Sequence, residues 1–229
     1  MLDIQKHRLI LVQILKDIYS DNELGPLLGF KEGTAANLFY GLPRFSIDLD
    51  FNLLDINKKD FVFEKVKNIL TKYGKVKEAR EKRYTLFFLL SYEKNLQQVK
   101  IEISKRDFPC HYEVKNYLGI PMLVMKKEDM FAHKLVALLE RKQPATRDLF
   151  DIYFFFSQKW EINDQLIKLR TGCSLEEYLR KCLDFIEKIN ERQILQGLGE
   201  LIDEKQKEWV RKKLKQELIF LIQYHIKEL

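Results

Sequence analysis

The chain opens on a helical stripe. From Ile4 to Tyr19 the apolar residues fall at 10, 11, 14, 15 and 18, which places them on one face of an amphipathic helix. Gly25-Pro26 breaks that pattern, and Leu27–Phe30 predicts a short strand running into a turn at Gly33. A helix over Thr34–Tyr40 follows, closed by Gly41-Leu42-Pro43. Apolar and acidic positions then alternate along Ile47–Leu53, the period of a strand with one face covered. Lys58–Tyr73 predicts a helix stopped by Gly74. β-Formers dominate 76–79, 84–92 and 97–104, an antiparallel meander. Residues 112–125 read as irregular chain or short strands. From Lys126 the period turns helical, over Lys126–Glu140, Thr146–Phe156, Asn163–Leu169, Ser174–Ile189 and Lys205–Lys227. These elements predict an α+β fold, with a mixed sheet and flanking helices in residues 1–125 and a helical region in 126–229.

The strand over Ile47–Leu53 carries the first chemistry. Side chains alternate faces along a strand, so Asp48 and Asp50 point the same way and Leu49 the other. Two carboxylates side by side repel unless a cation lies between them. A divalent ion carrying a nucleoside triphosphate fits, since Mg²⁺ takes one or two carboxylates together with phosphate oxygens.

Composition narrows the classes. The 229 residues are 46% hydrophobic and 32% charged, enough for a sizeable core. The apolar runs Leu86–Leu90 and Ile152–Phe156 are far too short to span a bilayer. Asp3, Lys6 and Arg8 interrupt the N-terminal apolar stretch, so it reads as a helix of a cytoplasmic protein and not as a signal peptide. Cys110, Cys173 and Cys182 have neither zinc spacing nor a disulfide framework. The net charge of +6 is uneven: Lys58–Lys115 holds 15 Lys/Arg against 8 Asp/Glu. A basic segment beside an acidic site suits a protein that docks a polyanion near a metal-bound nucleotide, although a solvated lysine-rich surface gives the same count.

Between Lys31 and Phe51 the sequence reads KEGTAANLFYGLPRFSIDLDF. A glycine turn, a spacer and Asp-x-Asp resemble the nucleotidyltransferase superfamily. Arg44-Phe45-Ser46-Ile47-Asp48-Leu49-Asp50-Phe51 resembles the AbiEii/AbiGii toxins within it. In that family two glycines precede Thr34; here Gly33 is the second, and Glu32 stands at the first. A side chain and a negative charge there disfavour close approach of phosphate.

The resemblance implies a metal-dependent transferase that moves a nucleoside monophosphate from an NTP to an acceptor hydroxyl. It implies Mg²⁺ or Mn²⁺ at Asp48 and Asp50, with Glu102 as the third acid on a neighbouring strand. Glu102 shares its strand face with Lys100 and Ser104. The family's active-site lysine and its paired aspartate match Lys134 and Asp148. Lys134 and Arg141, seven residues apart, lie on one helix face, and a lysine suits triphosphate oxygens. Gly33, Thr34, Arg44 and Ser46 join Lys134 and Arg141 as nucleotide-binding candidates. Arg44 is also a partner for Asp48 or Glu32. The implied acceptor is RNA, with a tRNA 3′ end foremost, and the implied partner is a cognate antitoxin. Two rival readings are a protein-NMPylating enzyme and a non-catalytic nucleotide-binding module.

The remaining motifs read as structural first. Asp151 reads as a first-turn acid or a brace for Arg141, and Arg147 with Asp151 as a surface i, i+4 pair. His133 reads as a core or surface histidine, and His7, His111 and His225 have no partners at metal spacing. Tyr153-Phe154-Phe155-Phe156 reads as core, with Tyr153 also a ring on which a base can stack. The run RKKLK from Arg211 to Lys215 is a solvated edge or a contact for an RNA backbone.

Overall fold

The computed structural model describes residues 3–93, 97–141 and 145–229. The chain forms two compact units: Met1–Gly41 with Phe45–Met125, and Leu42–Arg44 with Lys126–Leu229.

The first unit is built on a seven-stranded sheet. Its strands are β1 (Leu28–Lys31), β2 (Leu49–Leu53), β3 (Lys75–Glu81), β4 (Thr85–Tyr92), β5 (Gln97–Ser104), β6 (Tyr112–Tyr117) and β7 (Ile120–Met125). Their order is β3-β4-β5-β2-β1-β7-β6. The meander β3-β4-β5 is antiparallel, whereas β2 runs parallel to β5 and antiparallel to β1. The segment 112–125 is a hairpin, turned by Leu118 and Gly119, both at positive φ (51 and 80). Those signs suit the twist of a two-residue hairpin turn.

Among the described residues of this unit the α-helices are α1 (Ile4–Tyr19), α2 (Glu32–Tyr40) and α3 (Lys59–Thr71). Leu11, Ile14, Leu15 and Ile18 of α1 are buried, as are Val62, Val66 and Leu70 of α3. At about 25 cal/mol per Å² of apolar surface, each such side chain contributes on the order of 1.5–3 kcal/mol. Asp3 caps α1 by accepting from the Lys6 amide. Helix α2 begins at Glu32, earlier than the sequence pattern predicts, so Gly33 sits inside its first turn.

The second unit is helical, with α4 (Lys127–Glu140), α5 (Thr146–Ser157), α6 (Asp164–Thr171), α7 (Leu175–Glu187), α8 (Glu204–Trp209) and α9 (Lys215–Glu228). A π-helical segment, Val210–Leu214, joins α8 to α9. Its core is strongly aromatic: Phe131 meets Phe155 and Phe156 edge-on, and Phe155 stacks on Trp160 at 4.1 Å. Capping boxes open α7 at Ser174 and α8 at Asp203. Among the described residues no helix is long and apolar enough to cross a membrane. Cys110, Cys173 and Cys182 are free thiols, and Cys182 is fully buried.

Gly74 shows how tightly α3 is joined to the sheet. A Cβ there would overlap the main-chain oxygen of Ser91 on β4. Backbone cannot swing aside as a side chain can. Gly74→Ala is expected to destabilise the first unit by about 1–3 kcal/mol, read as an earlier midpoint in chemical denaturation with unchanged secondary structure at low denaturant.

Candidate active site

The chain enters β2 through a segment held at two successive carbonyls. His7 of α1 is buried and bonds Ile47 O through Nε2 at 2.9 Å. A carbonyl only accepts, so Nε2 carries the proton and Nδ1 accepts from the Tyr92 hydroxyl at 2.6 Å. Burial lowers the His7 pKa, against the opposing pull of the Ile47 bond and of Asp48, and keeps the ring neutral. The Thr34 hydroxyl donates to the next carbonyl, that of Asp48. Phe45 packs edge-on against His7 at 5.7 Å. Together these contacts aim Asp48 although it precedes the strand, which starts at Leu49. Thr34, a nucleotide-binding candidate by sequence, is buried and spends its hydroxyl on this tie.

Across Leu49–Phe51 burial alternates, and beyond it Asn52 and Leu53 are both buried. Leu49 and Phe51 are fully buried, and Asp50 between them is half-buried on the opposite face. Asp50 lies beside Lys31 on β1 and beside Glu102 on β5. On β5, Val99, Ile101 and Ile103 are buried, which leaves Lys100, Glu102 and Ser104 on the other face. The Lys100 ammonium reaches Asp48 Oδ2 at 3.1 Å and Glu102 Oε2 at 3.5 Å. Burial alone would lower the Lys100 pKa, but Asp48 and Glu102 outweigh it and the net shift is upward. Asp48 and Glu102 are thus joined through a lysine that the sequence places on their face without signalling its role.

Asp50 feels the strongest field of the group. Burial first, then the charges of Glu32 and Asp48, push its pKa up to about 7, against the opposing pull of Lys31 and Lys100. Glu32 itself sits at φ 63, a left-handed backbone that favours glycine. A glutamate there costs roughly 1 kcal/mol in backbone strain. It also adds a negative charge to the first turn of α2.

The acids are hard oxygen donors, with neither Cys nor His among them, and so suit Mg²⁺ or Mn²⁺ better than Zn²⁺. Among the described residues no group of three or more His, Cys, Asp or Glu side chains is placed to hold a metal ion by itself, so Asp48, Asp50 and Glu102 do not form a three-acid ligand set here.

The second unit holds a buried ion network of its own residues. Lys134 of α4 lies between Asp148 Oδ1 at 3.1 Å and Asp151 Oδ2 at 3.3 Å, both on α5. Arg44 grips Asp151 through Nε at 2.5 Å and Nη2 at 2.7 Å. Arg141 Nε stands 2.9 Å from Asp148 Oδ2 without the alignment of a hydrogen bond. Both aspartates are fully buried, Lys134 is 4% exposed and Arg141 is 40% exposed. Three sequence readings change here. Arg44 pairs with Asp151, a partner the sequence does not suggest. Asp151 braces Arg44 and Lys134 rather than Arg141. The surface pair of Asp151 with Arg147 gives way to burial, because a bidentate guanidinium offers a desolvated carboxylate more than an exposed one can. His133 accepts from Arg170 at 2.6 Å, away from the Lys134 network.

These fields set two expectations. The unfolded chain releases the Asp50 proton near pH 4, and the folded chain keeps it until about pH 7. Asp50 therefore costs stability as pH rises through that window. Asp50→Asn should be more stable than the parent above pH 7 without added metal, by about 1–2 kcal/mol once partial exposure is allowed for, and equal to it near pH 4; denaturation midpoints across pH 4–8 check this. In the helical unit, Asp151→Ala removes the bidentate carboxylate held by the buried Arg44 and Lys134 and should cost about 3–5 kcal/mol, measured by urea denaturation.

Comparison with known proteins gives this geometry a context. The profile of the family "Nucleotidyl transferase AbiEii toxin, Type IV TA system" matches residues 13–219. A Helicobacter pylori structure described as a candidate nucleotidyltransferase superposes with a TM-score of 0.64 at 22% identity, covering 100% of this chain and 97% of that one. The structure of JHP933 from Helicobacter pylori gives 0.62 at 23% identity, covering 100% of this chain and 94% of that one. No curated protein sequence matches the chain. At such identities the two structures speak for the fold, while the family profile spans nearly the whole sequence. The chain belongs to the AbiEii nucleotidyltransferase toxin family of type IV toxin–antitoxin systems.

Proposed function

We propose that this chain transfers a nucleoside monophosphate from an NTP to a hydroxyl of RNA, a tRNA 3′ end being the acceptor, and thereby acts as a toxin countered by a cognate antitoxin. The observation that carries the reading is the acid face of β2 and β5, where Asp48, Asp50 and Glu102 gather around Lys100. Mg²⁺ or Mn²⁺ at Asp48 and Asp50 would neutralise phosphate charge and orient the triphosphate. The acceptor oxygen forms its bond to the α-phosphorus as the bond to the β-phosphate oxygen breaks, and pyrophosphate leaves. Glu102 takes the proton of the attacking hydroxyl. Lys100, already a countercharge to two acids, offsets the charge that builds on the phosphate oxygens. By the family resemblance Lys134, held by Asp148, and the more exposed Arg141 are further contacts for the triphosphate. Gly33 and Ser46 line the approach of the nucleotide. The basic segment Lys58–Lys115 draws the polyanionic acceptor.

A second reading, a nucleotide-binding module without transfer, draws on Glu32. Its carboxylate stands in the first turn of α2, where a phosphate would profit from free amides. A third, modification of a protein hydroxyl, uses the same site with another acceptor.

One experiment separates them. The protein is incubated with each labelled NTP, with Mg²⁺ or Mn²⁺, and with total RNA or lysate protein. Labelled RNA is expected. Asp48→Ala should abolish labelling, at least 10³-fold, with the fold intact. Lys134→Ala should weaken NTP binding tenfold or more, the scale of one lost charge-assisted contact. Labelled protein in place of RNA would replace the acceptor. A parent protein inert under all conditions would leave the binding module, and transfer by Asp48→Ala would remove the acid face from the mechanism.

A further inference from the structure

The helical unit contains an aromatic cavity that the transfer chemistry does not use. Its volume is about 320 Å³, and its walls are Pro43, Phe150, Tyr153, Phe154 and Trp209. Trp209 and Tyr153 pack against each other at 4.6 Å between ring centroids with their planes tilted by 49°, and Phe150 meets Trp209 edge-on at 6.3 Å. Phe150 is buried, while Tyr153, Phe154 and Trp209 are part-exposed, so ring surface remains open to a ligand.

The walls are fixed from behind. The Tyr153 hydroxyl donates to Glu217 at 2.9 Å. Gln206 is tied at both ends of its amide: it accepts from the Asp203 amide at 3.0 Å and donates to Pro43 O at 2.6 Å. Trp209 ends α8 where the backbone passes into the π segment Val210–Leu214. Such widened turns are uncommon and gather at functional sites.

Charge identifies the occupant. From Lys205 to Lys215 the chain carries six Lys/Arg against one acid, Glu208. Lys205 borders the cavity, and Arg211, Lys212 and Lys213 are exposed just beyond Trp209. Lys212 is partly spent on Glu208 at 2.6 Å. A lone triphosphate has no use for a row of cations spread along about 15 Å of helix, but the backbone of a nucleic-acid strand does. Aromatic rings flanked by such a row are how single strands are held without regard to sequence, each stacked base being worth roughly 1–3 kcal/mol.

We propose that this cavity holds an unpaired base of a single-stranded nucleic acid, stacked on Trp209 and Tyr153, while Lys205 and the Arg211–Lys213 row carry the flanking phosphates. The proposal rests on the RNA-acceptor reading above and adds the surface that holds the acceptor.

The test is fluorescence anisotropy with a labelled 12-nucleotide RNA, single-stranded and as a duplex with its complement, using the full chain. The parent should prefer the single strand at least tenfold. Trp209→Ala should weaken that binding tenfold or more. Trp209→Phe, which keeps a ring, should stay within about threefold. Arg211→Glu, on the exposed row, should weaken binding and flatten its salt dependence. NTP affinity should be unchanged in all three, which also shows that the variants are folded. Unchanged RNA affinity in Trp209→Ala, or a loss confined to NTP binding, would overturn the proposal. So would a parent that favours the duplex. The transfer assay keeps the two readings apart. If RNA is labelled by the parent and equally by Trp209→Ala at limiting RNA, the cavity is discarded and the RNA acceptor stands. If only protein is labelled, the acceptor reading falls, and the anisotropy series still decides the cavity.

Discussion

The direction in which Asp50 points depends on the two-residue period of β2. Leu49 and Phe51 must enter the core of the first unit, so Asp50 has one direction left to point. The same constraint on β5, where Ile101 and Ile103 are buried, sends Lys100 and Glu102 to that face. Because β2 and β5 pair in parallel, Asp50 and Glu102 fall side by side. Hydrophobic burial thus does the positioning, and the electrostatic cost appears in the elevated Asp50 pKa and in the lysine that bridges its neighbours. A register slip of one residue would bury these charges and expose the apolar row.

Much of this was legible in the sequence, for physical reasons. Strict alternation identifies strand faces, and the helical stripe of α1 needed no tertiary information. The β5 limits, Gln97 and Ser104, follow from the β-former run. The hairpin over 112–125 was less legible because only Gly119 advertises its turn, while Leu118 adopts positive φ without being a residue that favours it. The start of α2 at Glu32 was hidden for a similar reason: a glutamate in a left-handed conformation is not what sequence patterns signal.

Long-range polar pairing was the least legible layer. Arg44 and Asp151 are 107 residues apart, and nothing local to either marks the other. Arg44 lies within a stretch whose neighbours before and after belong to the sheet-bearing unit, yet Leu42–Arg44 groups with the helices. His7 offers the same lesson. A lone histidine on an amphipathic helix reads as incidental, and its tie to Ile47 O emerges only when α1 packs beside the chain entering β2. Conversely, Lys134 and Asp148 could be paired from their motif, and they meet at 3.1 Å.

The network of Arg44, Lys134, Asp148 and Asp151 also limits how this protein can evolve. Each charge is buried against an opposite one, so a first replacement unbalances the set before a second can relieve it. Neutral drift, free to act at exposed positions one residue at a time, has no gentle path through these four. Descendants of this sequence should keep the set whole or exchange several members together.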